Sequence, residues 1–421
     1  MAQISGVPVT SITSMRGVAV ASIVSIGGVA TSTIPGWPGG GSGPTLLSAP
    51  TIPSTIYAES SIFGTSGSWT GTGSISYTYN WLSGVTLVNT QTSPFFNPKS
   101  NQYEDIQPFY NVRYGDLFTN LQLQVTASDS SGSTVASSTA VRVEDSDLVT
   151  FLANSGITNG TTISALEGLQ KGLKSSSIHE NLLDYYPFAG TTANQQKWSL
   201  KYPNSYLEFN SGWTFSSNGA QASGSANGGQ GTFASSSTSF SNTAFGLTDI
   251  GIYNGANITE DSIDIAAYYL PLVGGVYSPV QLSLKTNAGI LQINLNQGGS
   301  VVTASINSPL GLIGIGGSGG QGGANSYIYT AFQSRGSNLT GSVVGQWSSL
   351  PNTADAYTTY KIRIGAGAAT TSSSNLPGNK LYQFAYAGYN LGFTNNNGLE
   401  NYKTLGPIIQ NYQAALERST Y

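Results

Sequence analysis

Apolar and aromatic residues return at every second position along much of this chain. Residues 74–82 read SISYTYNWL, with Tyr77, Tyr79 and Trp81 separated by polar residues. Leu121, Leu123, Val125 and Ala127 alternate in the same way, and residues 135–143 alternate again after the turn Asp129-Ser-Ser-Gly132. A period of two belongs to a strand with one buried face and does not fit a helix. Many short alternating runs separated by polar turns predict antiparallel sandwiches.

The polar half of that pattern is unusual. Only 8% of the 421 residues are charged, against about 25% in an average soluble protein. Hydroxyls, amides and backbone must therefore supply most of the polar surface. A disordered chain would lack the 24 Tyr and 6 Trp found here. The length predicts two to four domains, at roughly 100–200 residues each. The net charge is −4, the 15 Lys and Arg form no run, and nucleic-acid binding is not expected. There is no Cys, hence no disulfide or thiolate metal site. No apolar run reaches the roughly 18–20 residues of a membrane span. Residues 18–26 (VAVASIVSI) have the length of a signal-peptide core, but one Arg flanks them and their pattern recurs on both sides.

That recurrence is an eleven-residue repeat. Ile4-Ser-Gly6-Val7 returns as Met15-Arg-Gly17-Val18 and as Ile26-Gly-Gly28-Val29. β-branched residues around a fixed Gly predict short strands with a turn at each Gly. Such a short segment buries too little surface to stand alone. It is read as an anchor, with Ile4, Gly6, Val7, Met15, Gly17, Val18, Ile26, Gly28 and Val29 as its contact residues. Residues 1–36 form this anchor and 37–44 a Gly/Pro linker.

Residues 45–144 are expected to be one sandwich. Gly67-Ser-Trp69-Thr-Gly, Tyr77-Thr-Tyr79-Asn-Trp81 and the run Leu123 to Gly132 resemble bacterial and phage immunoglobulin-like domains. The resemblance makes Trp81 the buried core Trp; the Cys pair of antibody domains is missing.

Residues 145–184 read as a helical connector, with Leu166, Leu169 and Leu173 at helical spacing and Thr161 or Thr162 as the cap. Residues 185–421 are expected to form a jelly roll. Its strand candidates are 206–209, 231–234, 262–269, 280–285, 289–295, 301–306, 327–333, 360–364 and 380–389. Leu399, Tyr402, Leu405, Ile409, Tyr412 and Leu416 predict a closing helix. Phe151 to Ile157, Tyr186-Pro187-Phe188-Ala-Gly190, Lys197-Trp198, Phe209 to Ala220 and Tyr412 to Arg418 resemble the concanavalin A-like, laminin G-like domain of tailed-phage structural proteins. That group includes crAss-like and related Bacteroidetes phages. The resemblance spans about residues 147–421. It implies a virion protein, assembled in the host cytoplasm and exposed on the extracellular particle. Its implied partners are capsid, portal-vertex or tail components and sister copies, a trimer being favoured.

Little in the chain points to catalysis. His179 is the only His, expected to be exposed beside Glu180, and no Ser triad can form without a His base. A laminarinase-like strand would need paired Glu around Asp264, where Ser262 and Ala266 stand. Gly314-Ile-Gly316-Gly-Ser-Gly319 matches a dinucleotide fingerprint in letters only and is read as a loop. Asp249, Asn254, Asn257, Glu260 and Asp261 are read as a loop that could hold Ca²⁺, the one cofactor considered. Trp347, Tyr327 and Tyr329 are the candidate glycan contacts, while Trp198 and Trp213 fit core positions.

The sequence thus predicts an all-β, multidomain, non-enzymatic protein. It has a short-strand repeat, an Ig-like sandwich and a concanavalin A-like jelly roll with short flanking helices. The expected role is a head fibre, head decoration or tail fibre that contacts host glycans. The rival readings are a secreted bacterial adhesin or carbohydrate-binding module and, behind them, a polysaccharide-degrading enzyme.

Overall fold

The computed structural model describes residues 43–93, 95–97, 102–104, 106–222, 233–237, 240–241, 249–255 and 400–418. It also describes the strands named below between 3 and 30 and between 262 and 388. The chain is all-β in character and divides into two compact units, Met1–Asp145 and Ser146–Tyr421.

Three small antiparallel hairpins carry the repeat. Gln3–Ile4 pairs with Val7–Pro8, Ser14–Met15 with Val18–Ala19, and Ser25–Ile26 with Val29–Ala30. The register is the same each time, with Ile4 opposite Val7, Met15 opposite Val18 and Ile26 opposite Val29.

The Ig-like sandwich of the first unit centres on Ser76–Ser83, flanked by Thr86–Ser93 and Asn120–Asp129. Gly132–Ser137 and Val141–Glu144 continue the sheet from Asn120–Asp129. Val141–Glu144 then pairs in parallel with Ile56–Tyr57. Three smaller ribbons join it: Thr45–Ser48 with Ser68–Thr70, Ser61–Phe63 with Phe109–Asn111, and Phe95–Asn97 with Gln102–Glu104. The predicted alternation is visible in the core: Tyr79, Trp81, Leu121, Leu123, Val125 and Ala127 are buried. Tyr77, expected with them, is only partly buried. Trp81 lies fully buried against the Tyr110 ring at 5.7 Å, and the Tyr110 hydroxyl donates to Asp116 Oδ2 at 2.8 Å.

The second unit is a two-sheet sandwich with helices at its start and end. Its first sheet runs Trp213–Ser216, Gly219–Ala222, Lys380–Gly388, Asp249–Asn254, Gly311–Gly319, Tyr327–Arg335, Asn338–Trp347, and Leu182–Tyr186 also pairs with Lys380–Gly388. Its second sheet runs Leu207–Phe209, Phe233–Ser236, Thr359–Gly365, Ser262–Leu270, Val280–Asn287, Ile290–Leu295, Val301–Asn307. One core lies between them. Ile250, Ile252, Ile313, Ile315, Ala385 and Ala387 come from the first sheet, and Leu207, Ala234, Ile265, Leu284, Leu291, Ile362 and Ile364 from the second.

The helices are α1 (Ser146–Ser155), α2 (Gly160–Ser175), α3 (Ile178–Asn181), α4 (Ala193–Gln196) and α5 (Glu400–Ala415). The stretch read as a connector therefore lies within the second unit. Helix α2 packs on α5, and α5 packs on the first sheet. The cap of α2 is Asn159, whose side chain accepts from Thr162 N at 3.0 Å, not Thr161 or Thr162.

Two segments read as loops are strands of the first sheet. The sequence suggests a cation loop that includes Asp249 and Asn254, and a glycine loop over Gly314–Gly319. Both lie in the middle of the sheet, with the core on one face and the α5 layer over the other. A strand covered on both faces loses the alternation that marks it in sequence. Gly251 shows why small residues recur here: a side chain at this position would overlap the Tyr386 ring.

Candidate functional site

Polar groups in the second unit gather at three buried places. In the first, Asp184 lies on the strand Leu182–Tyr186 and is fully buried. Its carboxyl accepts from Tyr186 OH at 2.6 Å, from Tyr185 N at 2.9 Å and from Ser199 Oγ. Burial pushes this carboxyl up to about 7, against the pull of those hydrogen bonds. Lys201 stands nearby and donates to His179 O at 2.6 Å and to Leu182 O. Burial lowers its ammonium to about 8 although Glu180 and Asp184 favour its charge. His179 is half-buried, not exposed as expected, and its ring meets Tyr185 edge-on at 6.0 Å.

The second place is Asp249, fully buried and bonded by Tyr402 OH from α5. It begins a strand, so its oxygens face a tyrosine where a loop ligand had been expected. Asn254, at the strand's other end, is also buried. Asn257, Glu260 and Asp261 lie outside the described residues. Among the described residues no three His, Asp or Glu come together as a cation cluster.

The third place is Arg418, just beyond α5 and almost fully buried. It donates to Phe188 O at 2.7 Å, Ser217 O at 2.7 Å, Gln383 O at 3.4 Å and Gln413 Oε1 at 3.1 Å. Phe188 is held at φ +46°, a strained setting for a bulky residue. Tyr412 OH donates to Pro187 O at 2.9 Å next to it, and burial pushes that phenol up to about 12. The central charged group of each, Asp184, Asp249 and Arg418, is buried.

The candidate glycan contacts fall on the last two strands of the first sheet. There Tyr327 is the register partner of Trp347, and Tyr329 is opposite Gly345. Residues opposite one another and two apart share a face, so the strand pairing brings Tyr327, Tyr329 and Trp347 together at the sheet's edge. Register puts Tyr329 opposite Gly317 and Tyr327 opposite Gly319, positions on the face of the first sheet that carries the core residues Ile313 and Ile315. Trp198 is half-buried, T-stacked on Tyr206 at 5.3 Å with Lys197 Nζ 4.7 Å over its ring. Trp213 packs against the core from its margin. In the first unit, an open groove of about 580 Å³ runs between residues 50–54 and 139–142. Its Arg142 is already paired with Glu144 at 2.7 Å and lies 5.0 Å over the Phe118 ring.

Sequence reasoning missed the face of the second sheet opposite the core. Ile362 and Ile364 are buried in the core, so Lys361 and Arg363 hold positions on the other face. The same parity puts Lys285 there beside buried Leu284, and Gln292 beside buried Leu291. Register joins Arg363 to Ala266, Ser283 and Asn294 in one row, Lys361 to Tyr268 in a second, and Lys285 to Gln292 and Thr303 in a third. The signal was present in the alternation of KIRI (361–364) and LSLK (282–285). Asp264 is passed over by the pairing of Ile263 and Ile265 with the neighbouring strand, a bulge the regular-strand reading did not foresee.

No protein-family model matches the chain, and no curated protein does. Among solved structures it is similar to a Trypanosoma rangeli sialidase, at 7% identity and TM-score 0.32, over 69% of this chain and 43% of that one. It is similar to the lectin UEA-II complexed with galactose, at 9% identity and TM-score 0.30, over 49% of this chain and 98% of the lectin. It is also similar to a structure from work on endo-acting O-glycanases of human gut microbiota, at 8% identity and TM-score 0.24, over 49% and 92%. The chain spans less than two thirds of the length of the sialidases. The expectation of a non-enzymatic chain is corrected here. Sialidases, alginate lyases and a glycanase stand among these similar structures, so the architecture gives no ground for excluding an activity. At such TM-scores no particular reaction or ligand passes from them to this chain.

Proposed function

We propose that the chain is a structural and adhesive component of a tailed-bacteriophage particle, held through residues 1–36 and displaying a glycan-binding sandwich. The observation that carries this reading is the set of three hairpins in one register. A hairpin with two-residue strands has too few bonds and too little buried surface to persist in water alone. Threefold repetition of such a unit makes sense where a larger surface or sister chains supply the missing neighbours. The partners are capsid, portal-vertex or tail components and further copies of the chain, as a trimer. On this reading the second unit meets host or environmental glycans through Tyr327, Tyr329 and Trp347, the aromatic residues that register brings together at the last two strands of the first sheet.

Mass spectrometry of purified particles, intact and stripped of fibres, tests the virion reading. Peptides of this chain are expected in the intact particles. Their absence from particles and presence only in the culture medium would replace it with the secreted-adhesin reading. The glycan arm is tested on the full chain with a glycan array. The double variant Tyr327→Ala/Trp347→Ala is expected to lose the signal while its melting temperature holds.

A further inference from the structure

We infer that the face of the second sheet opposite the core is a binding face for an acidic polysaccharide, a polymer with carboxylates along its sugar chain. The inference rests on the reading of the chain as a glycan binder and adds a second place and a ligand class.

Cations outnumber acids at the described positions of this face, three to one with Glu208 in the Arg363 row. In a chain with only 15 Lys and Arg, Lys361 and Arg363 on Thr359–Gly365 and Lys285 on Val280–Asn287 hold positions on one face, with the strand Ser262–Leu270 between them. Lys361 and Arg363 are about 7 Å apart along their strand, and Lys285 lies two strands away, about 10 Å across the sheet. The acids nearest in register are Glu208, at the sheet's edge two strands from Arg363, and Asp264 in the bulge. Helix packing does not explain the cations, since α5 and α4 pack on the first sheet.

Between the cations lie groups that suit sugars. Tyr268 is the register partner of Lys361, Asn294 ends the Arg363 row, and Gln292 is the partner of Lys285. Amides and hydroxyls pair with sugar hydroxyls in both directions, a tyrosine stacks on a pyranose face, and guanidinium pairs with carboxylate in a fork. Three cations spread over a flat face match widely spaced charges. They are too few and too separated for the dense phosphates of a nucleic acid, on a protein of net charge −4. An anionic bilayer would call for a tighter basic cluster.

The test titrates the full chain with polygalacturonate, neutral dextran, duplex DNA and phosphatidylserine vesicles, at low and high salt. Polygalacturonate is expected to bind, and binding should weaken about tenfold in Lys361→Ala/Arg363→Ala and again in high salt. Lys361→Arg should retain binding. Circular dichroism of each variant checks that the sandwich is intact. Polygalacturonate affinity unmoved by the double cation variant overturns the inference. Binding of DNA or vesicles with the same dependence on Lys361 and Arg363 also overturns it. Capture of neutral glycans alone overturns it while leaving the glycan-binding reading in place, and no capture of any glycan removes both.

Discussion

Asp184 holds a proton longer than an ordinary carboxyl because the sandwich closes over it. Its folded value, about 7, lies above the unfolded value of 3.8. The folded state therefore binds the proton more tightly, and stability falls as pH rises between those values. The contribution is complete below about pH 4 and lost above about pH 7. Urea melts of the wild type across pH 4–7 should show this slope, and Asp184→Asn should flatten it. Asp184→Ala removes the acceptor of Tyr186 and Ser199 and should cost about 1–3 kcal/mol. Trp81 behaves differently. It is fully buried, and among the described residues its Nε1 has no hydrogen-bond partner. Trp81→Ala should cost about 3–5 kcal/mol in the first unit. Trp81→Phe should cost much less, since it sacrifices volume and no bond; denaturation followed by circular dichroism separates the two. The Trp81 position was legible from alternation alone. Asp184 was not, because nothing in LLDYYPF tells that the strand is closed in on all sides.

Helix α5 shows what periodicity reveals and what it hides. Tyr402, Leu405, Ile409 and Tyr412 recur at helical spacing and are all buried, as an amphipathic helix requires. What fixes the helix on the sheet is polar and distant in sequence: Tyr402 with Asp249, Tyr412 with Pro187 O, Arg418 with the carbonyls of Phe188, Ser217 and Gln383. Four of these five pairings span more than 150 residues and leave no local trace. Gly406 brings the helix down onto the strand Tyr327–Arg335, where any side chain would overlap Ser334. Arg418→Ala should destabilise the second unit by about 2–4 kcal/mol, by leaving buried carbonyls without a donor. Arg418→Lys should recover little, because an ammonium cannot fork to carbonyls on three segments. The strands tell a similar story. Ser262–Leu270, Val280–Asn287 and Thr359–Gly365 have one core face and were readable within a few residues. Asp249–Asn254 and Gly311–Gly319 are covered on both faces and looked like loops. Asn338–Trp347, rich in glycine and polar residues, left too little apolar signal to be seen.

Each compact unit has its own hydrophobic core, one around Trp81, Leu123 and Val125 and the other around Ile252, Ile313 and Ile364. Substitutions in one core should therefore shift one thermal transition and spare the other, with Trp81→Ala moving the first and Arg418→Ala the second in calorimetry. Among the described residues neither core includes one from the repeat, which is expected to add little to either transition. Its strands are two residues long, and the Gly at the fixed place of each repeat lies between them. On the proposed reading, the surface it buries comes from other chains. Deleting residues 1–36 should leave both transitions within a degree or two of the full chain, about the shift of a few tenths of a kcal/mol. The same deletion should reduce the mass seen by light scattering from a trimer to a smaller species, and should abolish incorporation into particles. A repeat that served only as spacer would give the opposite pair of results, with unchanged mass and unchanged incorporation. Replacing Gly6, Gly17 and Gly28 with Val tests the hairpins themselves without shortening the chain. Gly is favoured between closely paired strands, and a stiff β-branched Val is not. This triple variant should lose assembly as the deletion does, although every residue expected to meet a partner through its side chain is still present.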